Sequence, residues 1–207
     1  MSLRSIFPKE KENKLAVREE KKINHQQARE ILQQAELIVP AEQVQATLLR
    51  LAHEINGVMA DKYPVVLSVM GGAVVFTGSL LPLLDFPMDF DYVHVSRYGT
   101  NQQGGKLKWK VEPCESLAGR VVLVLDDILD EGETMAAIKQ RVLGLGATEF
   151  YSAVFADKIK DIAKTAKPAK PIRADFIGME LPDRFVFGFG MDIQGAWRNL
   201  PAIYAVR

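Results

Sequence analysis

The stretch Arg120-Val-Val-Leu-Val-Leu-Asp-Asp-Ile-Leu-Asp-Glu-Gly-Glu-Thr134 decides how the chain is read. Val121 to Leu125 form an uninterrupted, β-branched-rich apolar run, the pattern of a strand buried on both faces of a parallel sheet. The run ends in Asp126-Asp127, followed by Asp130, Gly132 and Thr134, and Met135 to Leu143 then has the spacing of an amphipathic helix. Acids and a Gly/Thr turn therefore lie between the carboxyl end of a buried strand and the amino end of a helix. Open α/β sheets bind ligands at that place, because helix N-termini offer unpaired N–H groups and a positive dipole end to phosphate.

Each residue type has a chemical use there. Gly132 permits a tight concave turn whose N–H groups point inward as an anion nest. Thr134 adds a hydroxyl donor where the helix begins. Asp126 and Asp127 cannot greet a bare phosphate, but they can accept hydrogen bonds from a diol such as ribose or sit close to Mg²⁺. Asp130, on the loop, is placed to accept a proton. A role confined to helix capping fits poorly, since caps rarely use three aspartates in five positions. The chain has no Gly-x-x-x-x-Gly-Lys-Ser/Thr loop, and no Gly-x-Gly-x-x-Gly fingerprint follows a strand.

At 207 residues the chain fits one domain with a small appended lobe, and 48% hydrophobic residues suffice for a core. Lys and Arg number 26, as do Asp and Glu, so the formal net charge is zero. That balance argues against a nucleic-acid binder or a membrane-surface protein. Cys114 is the single cysteine, which excludes an internal disulfide and points to a reducing compartment. No apolar run approaches the ~20 residues of a membrane span, and no signal-peptide core is present, so a cytoplasmic protein is expected.

Residues 1–23 are charge-rich and aperiodic and read as a flexible extension. Asn24 is the expected N-cap of a helix through Leu37, and Pro40 a first-turn proline of the next. Val44, Leu48, Leu51, Ile55 and Val58 recur as one apolar helical face. His25 and His53 on these helices read as solvated rather than metal-binding. Val65 to Met70 is a second buried strand; Gly71-Gly72 follows, then a helix from about Ala73 to Leu81, again an arrangement that admits an anion to backbone N–H groups. Phe90 to Ser96 reads as a strand running into a polar, glycine-rich segment with the character of a mobile loop, and Lys106 to Val111 as extended. Glu149 to Ala156 forms a strand ending in Asp157-Lys158, and Ile159 to Ile172 is a surface excursion without an assigned role. Ala174 to Leu181 and Phe185 to Asp192 read as further strands.

The run Val122 to Thr134 resembles the phosphoribosyl-pyrophosphate signature of type I phosphoribosyltransferases, and most closely that of the hypoxanthine-guanine branch. The resemblance extends over Val65 to Arg207 with its motifs in the expected order. It implies an α/β fold with a mostly parallel central sheet, flanking helices and a small hood. Residues 24–207 form one domain, the hood being about 176–207 with the N-terminal helices. The reaction implied joins a 6-oxopurine base to phosphoribosyl pyrophosphate, giving a nucleoside 5′-monophosphate and pyrophosphate. Asp130 takes the proton from purine N7, and Asp126 and Asp127 hold the ribose diol or its metal-bound waters. Asp130, Glu131, Gly132, Glu133 and Thr134 bind the 5′-phosphate; Met70, Gly71, Gly72 and Arg198 bind pyrophosphate. Lys158 meets the exocyclic oxygen, Phe185 stacks on the purine, and Val186 and Asp192 complete the base site. Ser96, Arg97 and Tyr98 belong to a closing loop that shields the ribosyl centre from water. Asp192, Asp126 and Asp127 are the implied Mg²⁺ ligands, and a homodimer or homotetramer the implied assembly.

The chain departs from the family pattern in places. Met70 stands where the commoner Leu-Lys-Gly-Gly loop has lysine, and Asn199 where many relatives carry an acid. Glu131 and Glu133 bring negative charge to the phosphate loop and are expected to face solvent. Two alternatives stay open: a non-catalytic regulator of the same fold, and a relative acting on xanthine or another base.

Overall fold

The computed structural model describes residues 23–97, 107–113, 116–159 and 169–207. Residues 1–22 of the extension expected over 1–23, Tyr98, Cys114 and the middle of the excursion, 160–168, lie outside the described residues. In chain order the elements are α1 (His25–Gln34), β1 (Glu36–Val39), α2 (Ala41–Met59), β2 (Val65–Met70), α3 (Val74–Leu80) with a 3₁₀ turn at Leu81–Leu83, β3 (Asp89–Arg97), β4 (Leu107–Val111), β5 (Val121–Leu129), α4 (Glu133–Gly144), β6 (Glu149–Ile159), β7 (Phe176–Pro182), β8 (Val186–Phe187) and β9 (Ile203–Ala205).

The two apolar runs lie side by side, with Val65 opposite Val122 and Ser68 opposite Leu125 in parallel register. The sheet runs β4-β3-β2-β5-β6-β7 and is parallel throughout except for β4 at its edge. This is an α/β fold with a mostly parallel central sheet. Phe76 and Leu80 of α3 pack with the α2 stripe and with Val66, Leu123, Leu125 and Phe155 on one face. Met135, Ile138 and Val142 of α4 pack with Val65, Leu67, Val122 and Val124 on the other. From β2 the chain proceeds outward to β3, and from β5 it proceeds the other way to β6, so the strand order reverses between β2 and β5. A crevice opens at the carboxyl ends of strands at such a reversal.

Two N-terminal expectations need correction. Helix α1 starts as expected, with a capping box in which Asn24 Oδ1 accepts from Gln27 N and Gln27 Oε1 accepts from Asn24 N, both at 2.9 Å. It ends at Gln34 rather than Leu37, because Pro40 holds Val39 extended and the Leu-Ile-Val run prefers a strand. On α2 the stripe Val44, Leu48, Leu51 and Ile55 is fully buried, but Met59 closes it and Val58 is exposed.

The hood is the antiparallel sheet β1-β9-β8. Of the N-terminal segment it takes β1, whereas α2 lies along β7, with the Arg50 guanidinium donating to the carbonyls of Ile177 and Gly178. The strand at 176–182, assigned to the hood from sequence, pairs with β6 in the main sheet. The strand expected over Phe185 to Asp192 shrinks to Val186–Phe187, because Gly188, Phe189 and Gly190 turn the backbone at φ +98°, +47° and +98°. Hood and sheet share one core. Phe155 of β6 lies 4.4 Å from Phe189 of the hood and 5.8 Å from Phe76 of α3, ring centre to ring centre. Phe155→Ala should cost about 3–5 kcal/mol of unfolding free energy in urea titrations; a loss under about 1 kcal/mol would mean that hood and sheet do not depend on this contact.

Candidate active site

Strand β5 continues past Leu125 to Leu129, so Asp126 and Asp127 lie on the strand itself and not in the turn beyond it. Asp126 Oδ1 accepts from Asp127 N at 3.0 Å, and Asp127 Oδ1 accepts from Ile128 N at 2.9 Å. On the neighbouring strand, β2 runs into Gly71-Gly72, with the Met70–Gly71 peptide cis. A Cβ on Gly72 would overlap the Asp127 carboxylate, so glycine here lets that carboxylate lie directly against the loop after β2. Burial, then the adjacent Asp127 charge, pushes the Asp126 carboxyl well above the usual carboxylate range. Burial also raises Asp127, but the hydrogen bond with Asp126, the Ile128 N–H and the Arg198 charge oppose the rise. Both carboxyls are thus held above the usual range, Asp126 the more strongly.

Asp130 follows the end of β5, and Lys158 projects from the end of β6 beside it, with Nζ 3.3 Å from Asp130 Oδ2. The lysine side chain is 13% exposed and the aspartate 48%, so the cation is held from within while the carboxylate faces the opening. Gly132, buried and at φ +79°, is the N-cap of α4 and makes no side-chain cap. The helix begins at Glu133, two residues before the expected Met135, which places Thr134 inside its first turn. The first N–H groups of a helix have no carbonyl partner within it. Glu133 is exposed and Glu131 partly so.

The hood closes the crevice from above. A Cβ on Gly190 would overlap the Gly72 carbonyl oxygen, so the hood turn rests directly on the loop after β2. Arg198 Nη1 donates to Gly190 O at 2.6 Å, and Nη2 pairs with Asp192 Oδ1 at 2.5 Å. Asp192 Oδ2 accepts from Gly195 N at 2.6 Å. Trp197, left-handed at φ +70°, donates its indole N–H to Ala28 O at 2.7 Å and so ties α1 to the residue before Arg198. Phe185 is 55% exposed, an unusual state for a large aromatic, while Val186 is buried.

The structure brings together Asp126, Asp127, Asp130, Gly71, Gly72, Gly132, Thr134 and Lys158 at the carboxyl ends of β2, β5 and β6, and sets Arg198 and Asp192 above them. It does not assemble Asp192 with Asp126 and Asp127. Among the described residues no three His, Cys, Asp or Glu side chains converge as metal ligands, because Asp192 is engaged by Arg198 and Gly195. His25 and His53 are exposed, as read from sequence. Ser96 and Arg97 end β3, where the Ser96 Oγ is buried and has no hydrogen-bond partner among the described residues. Sequence reasoning missed the contact of Gly190 with Gly72 and the tie from Trp197 to Ala28, since neither has a motif; positive φ is their only signature.

The raised Asp126 carboxyl has a consequence for stability. Unfolded, this group loses its proton near pH ~4, whereas folded it keeps it to higher pH. Through that interval the native state binds more protons than the unfolded one, so its contribution to stability falls as pH rises. Asp126→Asn should therefore melt above wild type at neutral pH, with the gap closing below pH ~4; a gap independent of pH across that range would refute the assignment.

A phosphoribosyl transferase domain model matches residues 36–194. The hypoxanthine-guanine phosphoribosyltransferase of Bacillus subtilis is 30% identical over 171 residues, covering 81% of this chain and 90% of that protein. The hypoxanthine-guanine-xanthine phosphoribosyltransferase of Tritrichomonas foetus is 33% identical over 162 residues, 78% of this chain and 86% of that one. Among solved structures, a hypoxanthine-guanine phosphoribosyltransferase from Bacillus anthracis superposes with a TM-score of 0.75 at 26% identity, over 83% of this chain and 98% of that chain. The reversal point, the acidic strand end and the glycine turn thus coincide with the matched span, and the chain belongs to the phosphoribosyl transferase domain family.

Proposed function

We propose that this protein is a purine-salvage phosphoribosyltransferase, joining hypoxanthine or guanine to phosphoribosyl pyrophosphate to give the nucleoside 5′-monophosphate and pyrophosphate. The observation that carries the reading is the Asp130–Lys158 pair at 3.3 Å, a proton acceptor beside a largely covered cation next to a helix N-terminal turn. A 6-oxopurine presents N7 and the exocyclic oxygen on one edge, and the pair matches that edge: Asp130 accepts the N7 proton while the Lys158 ammonium donates to the oxygen. Phe185, exposed at the rim, supplies the stacking face, and Val186 offers backbone groups to the opposite edge.

The phosphoribosyl half lies along the strand ends. The 5′-phosphate docks on the first turn of α4, with Gly132, Thr134 and the backbone at Asp130, Glu131 and Glu133 around it. Asp126 and Asp127 hold the ribose hydroxyls, and Gly71 and Gly72 with Arg198 receive the pyrophosphate. Mg²⁺ arrives with phosphoribosyl pyrophosphate as part of the substrate. An ion that keeps several waters and takes one or two carboxylates plus phosphate oxygens needs no cage of three protein ligands, and the Asp126–Asp127 carboxylates fit that demand. Bound there, it would neutralise charge on the leaving pyrophosphate. With Met70 at the family's lysine position, that part of the pyrophosphate site is backbone.

Xanthine is the second substrate to consider, since the relative from Tritrichomonas foetus carries it in its name. A homodimer or homotetramer is the proposed assembly, supported by Phe90 and Tyr92, exposed on one face of β3 at 46% and 41%. The single cysteine supports a cytoplasmic setting, and no described helix is long and apolar enough to cross a membrane.

A spectrophotometric assay with phosphoribosyl pyrophosphate, Mg²⁺ and hypoxanthine, guanine, xanthine or uracil should show turnover of hypoxanthine or guanine and none of uracil. Binding of phosphoribosyl pyrophosphate without turnover of any base would favour the non-catalytic regulator. Asp130→Asn should lower kcat by about 10²- to 10⁴-fold and leave the KM for phosphoribosyl pyrophosphate nearly unchanged. Near-normal turnover would remove Asp130 as the base.

A further inference from the structure

We propose that Lys170 is a positioning residue for the ribose-phosphate end of the site, an inference that rests on the function proposed above. Its Nζ donates to Leu129 O at 2.6 Å and pairs with the Asp157 carboxylate. Leu129 and Asp157 face each other in the parallel register of β5 and β6, and each directly precedes a member of the Asp130–Lys158 pair. One ammonium therefore fastens two adjacent strand ends at the last point before both project their polar side chains. Because one of its acceptors is a main-chain carbonyl, Lys170 fixes backbone as well as side chain.

The same segment backs the turn. A Cβ built on Gly132 would stand 3.3 Å from Pro171 Cδ, 3.4 Å from Lys170 Cβ and 3.5 Å from Ile172 O. Residues 170–172 are thus the wall on which the left-handed Gly132 turn is seated, and Lys170 anchors that wall to the strand that feeds the turn. Lys170 and Asp157 are only 16% and 19% exposed, so water competes weakly for either partner and the charge-assisted bonds hold. The Asp157 carboxylate also balances the ammonium, so that Lys170 adds geometry to the phosphate loop without adding net charge. This gives a role to the end of the excursion that composition alone leaves as a surface loop.

The test compares Lys170→Met with Lys170→Arg in the full chain, by amide hydrogen exchange over residues 130–134 and by steady-state kinetics. Loss of two charge-assisted hydrogen bonds should speed exchange in the turn by about tenfold and raise the KM for phosphoribosyl pyrophosphate by about tenfold. The KM for hypoxanthine should rise less than that for phosphoribosyl pyrophosphate, because the Asp130–Lys158 pair itself is retained, and Lys170→Arg, which can still span both acceptors, should recover most of the losses. Unchanged exchange in Lys170→Met would overturn the proposal. So would a KM rise shared equally by both substrates, or faster exchange with no loss of phosphoribosyl-pyrophosphate affinity. If wild type turns over no purine, the proposed function fails, while the exchange experiment still decides whether Lys170 holds the turn. Should Lys170→Met not fold, Lys170→Gln, which keeps a donor without the charge, is judged by the same criteria.

Discussion

The site depends on a contact made without side chains on one partner. Gly72 lets the loop after β2 come against the Asp127 carboxylate, and Gly190 lets the hood turn come against the Gly72 carbonyl. Three segments distant in sequence are thereby stacked within van der Waals reach, with no atom to spare between them. A side chain at Gly190 would meet backbone and lift the hood, whereas one at Gly72 would displace the Asp127 carboxylate from its place at the crevice. The apolar runs of β2 and β5 create the crevice, but these two glycines set its height.

Charge is distributed across that crevice in a way that leaves it unfinished without a ligand. Asp126 and Asp127 sit where burial penalises ionisation, and the cation nearest in effect, Arg198, is shared with Asp192 on the hood. Lys158 is committed to Asp130. A polyanionic ligand accompanied by a divalent cation suits this arrangement better than either alone. The cation would meet the carboxylates, and the phosphates would meet Arg198 and the helix N-terminus.

Much of this was legible in the sequence, and the reasons differ by element. The runs Val65–Met70 and Val121–Leu125 announced buried parallel strands because both faces of such strands are apolar, and Asp126 to Thr134 announced a ligand site because acids and glycine at a strand end have no packing role. The N-terminal strand β1 was hidden, since Glu-Leu-Ile-Val continues an amphipathic helix in composition and only Pro40 signals the break. The strand at 176–182 was placed in the wrong sheet because an apolar strand does not state its neighbour. The hood turn was invisible for another reason. Phe189, Gln194 and Trp197 adopt left-handed backbone at φ +47°, +50° and +70°, and local propensity does not foresee that in a phenylalanine or a tryptophan. Nor did the sequence show that Asp192 would pair with Arg198 and accept from the Gly195 amide, two contacts that no motif signals.

Those left-handed residues also explain how the two halves of the site differ in character. Backbone strain of this kind persists only where surrounding contacts overdetermine it. Phe189 is held by its ring against Phe155, and Trp197 by its indole bond to α1, so the cost of the turn is met from the core and from the N-terminal helix. The hood is thus braced on the side that carries Arg198 and Asp192. Phe185, directly before β8, is left exposed, its backbone carbonyl engaged by Val206 N. The end that would receive phosphates is assembled from braced backbone, helix N-terminus and glycine contacts, whereas the end that would receive the base is closed by an uncovered ring. Specificity among bases then has to come from atoms around Phe185, Val186 and Lys158, and tolerance to substitution should be greater there than at Gly72 or Gly190.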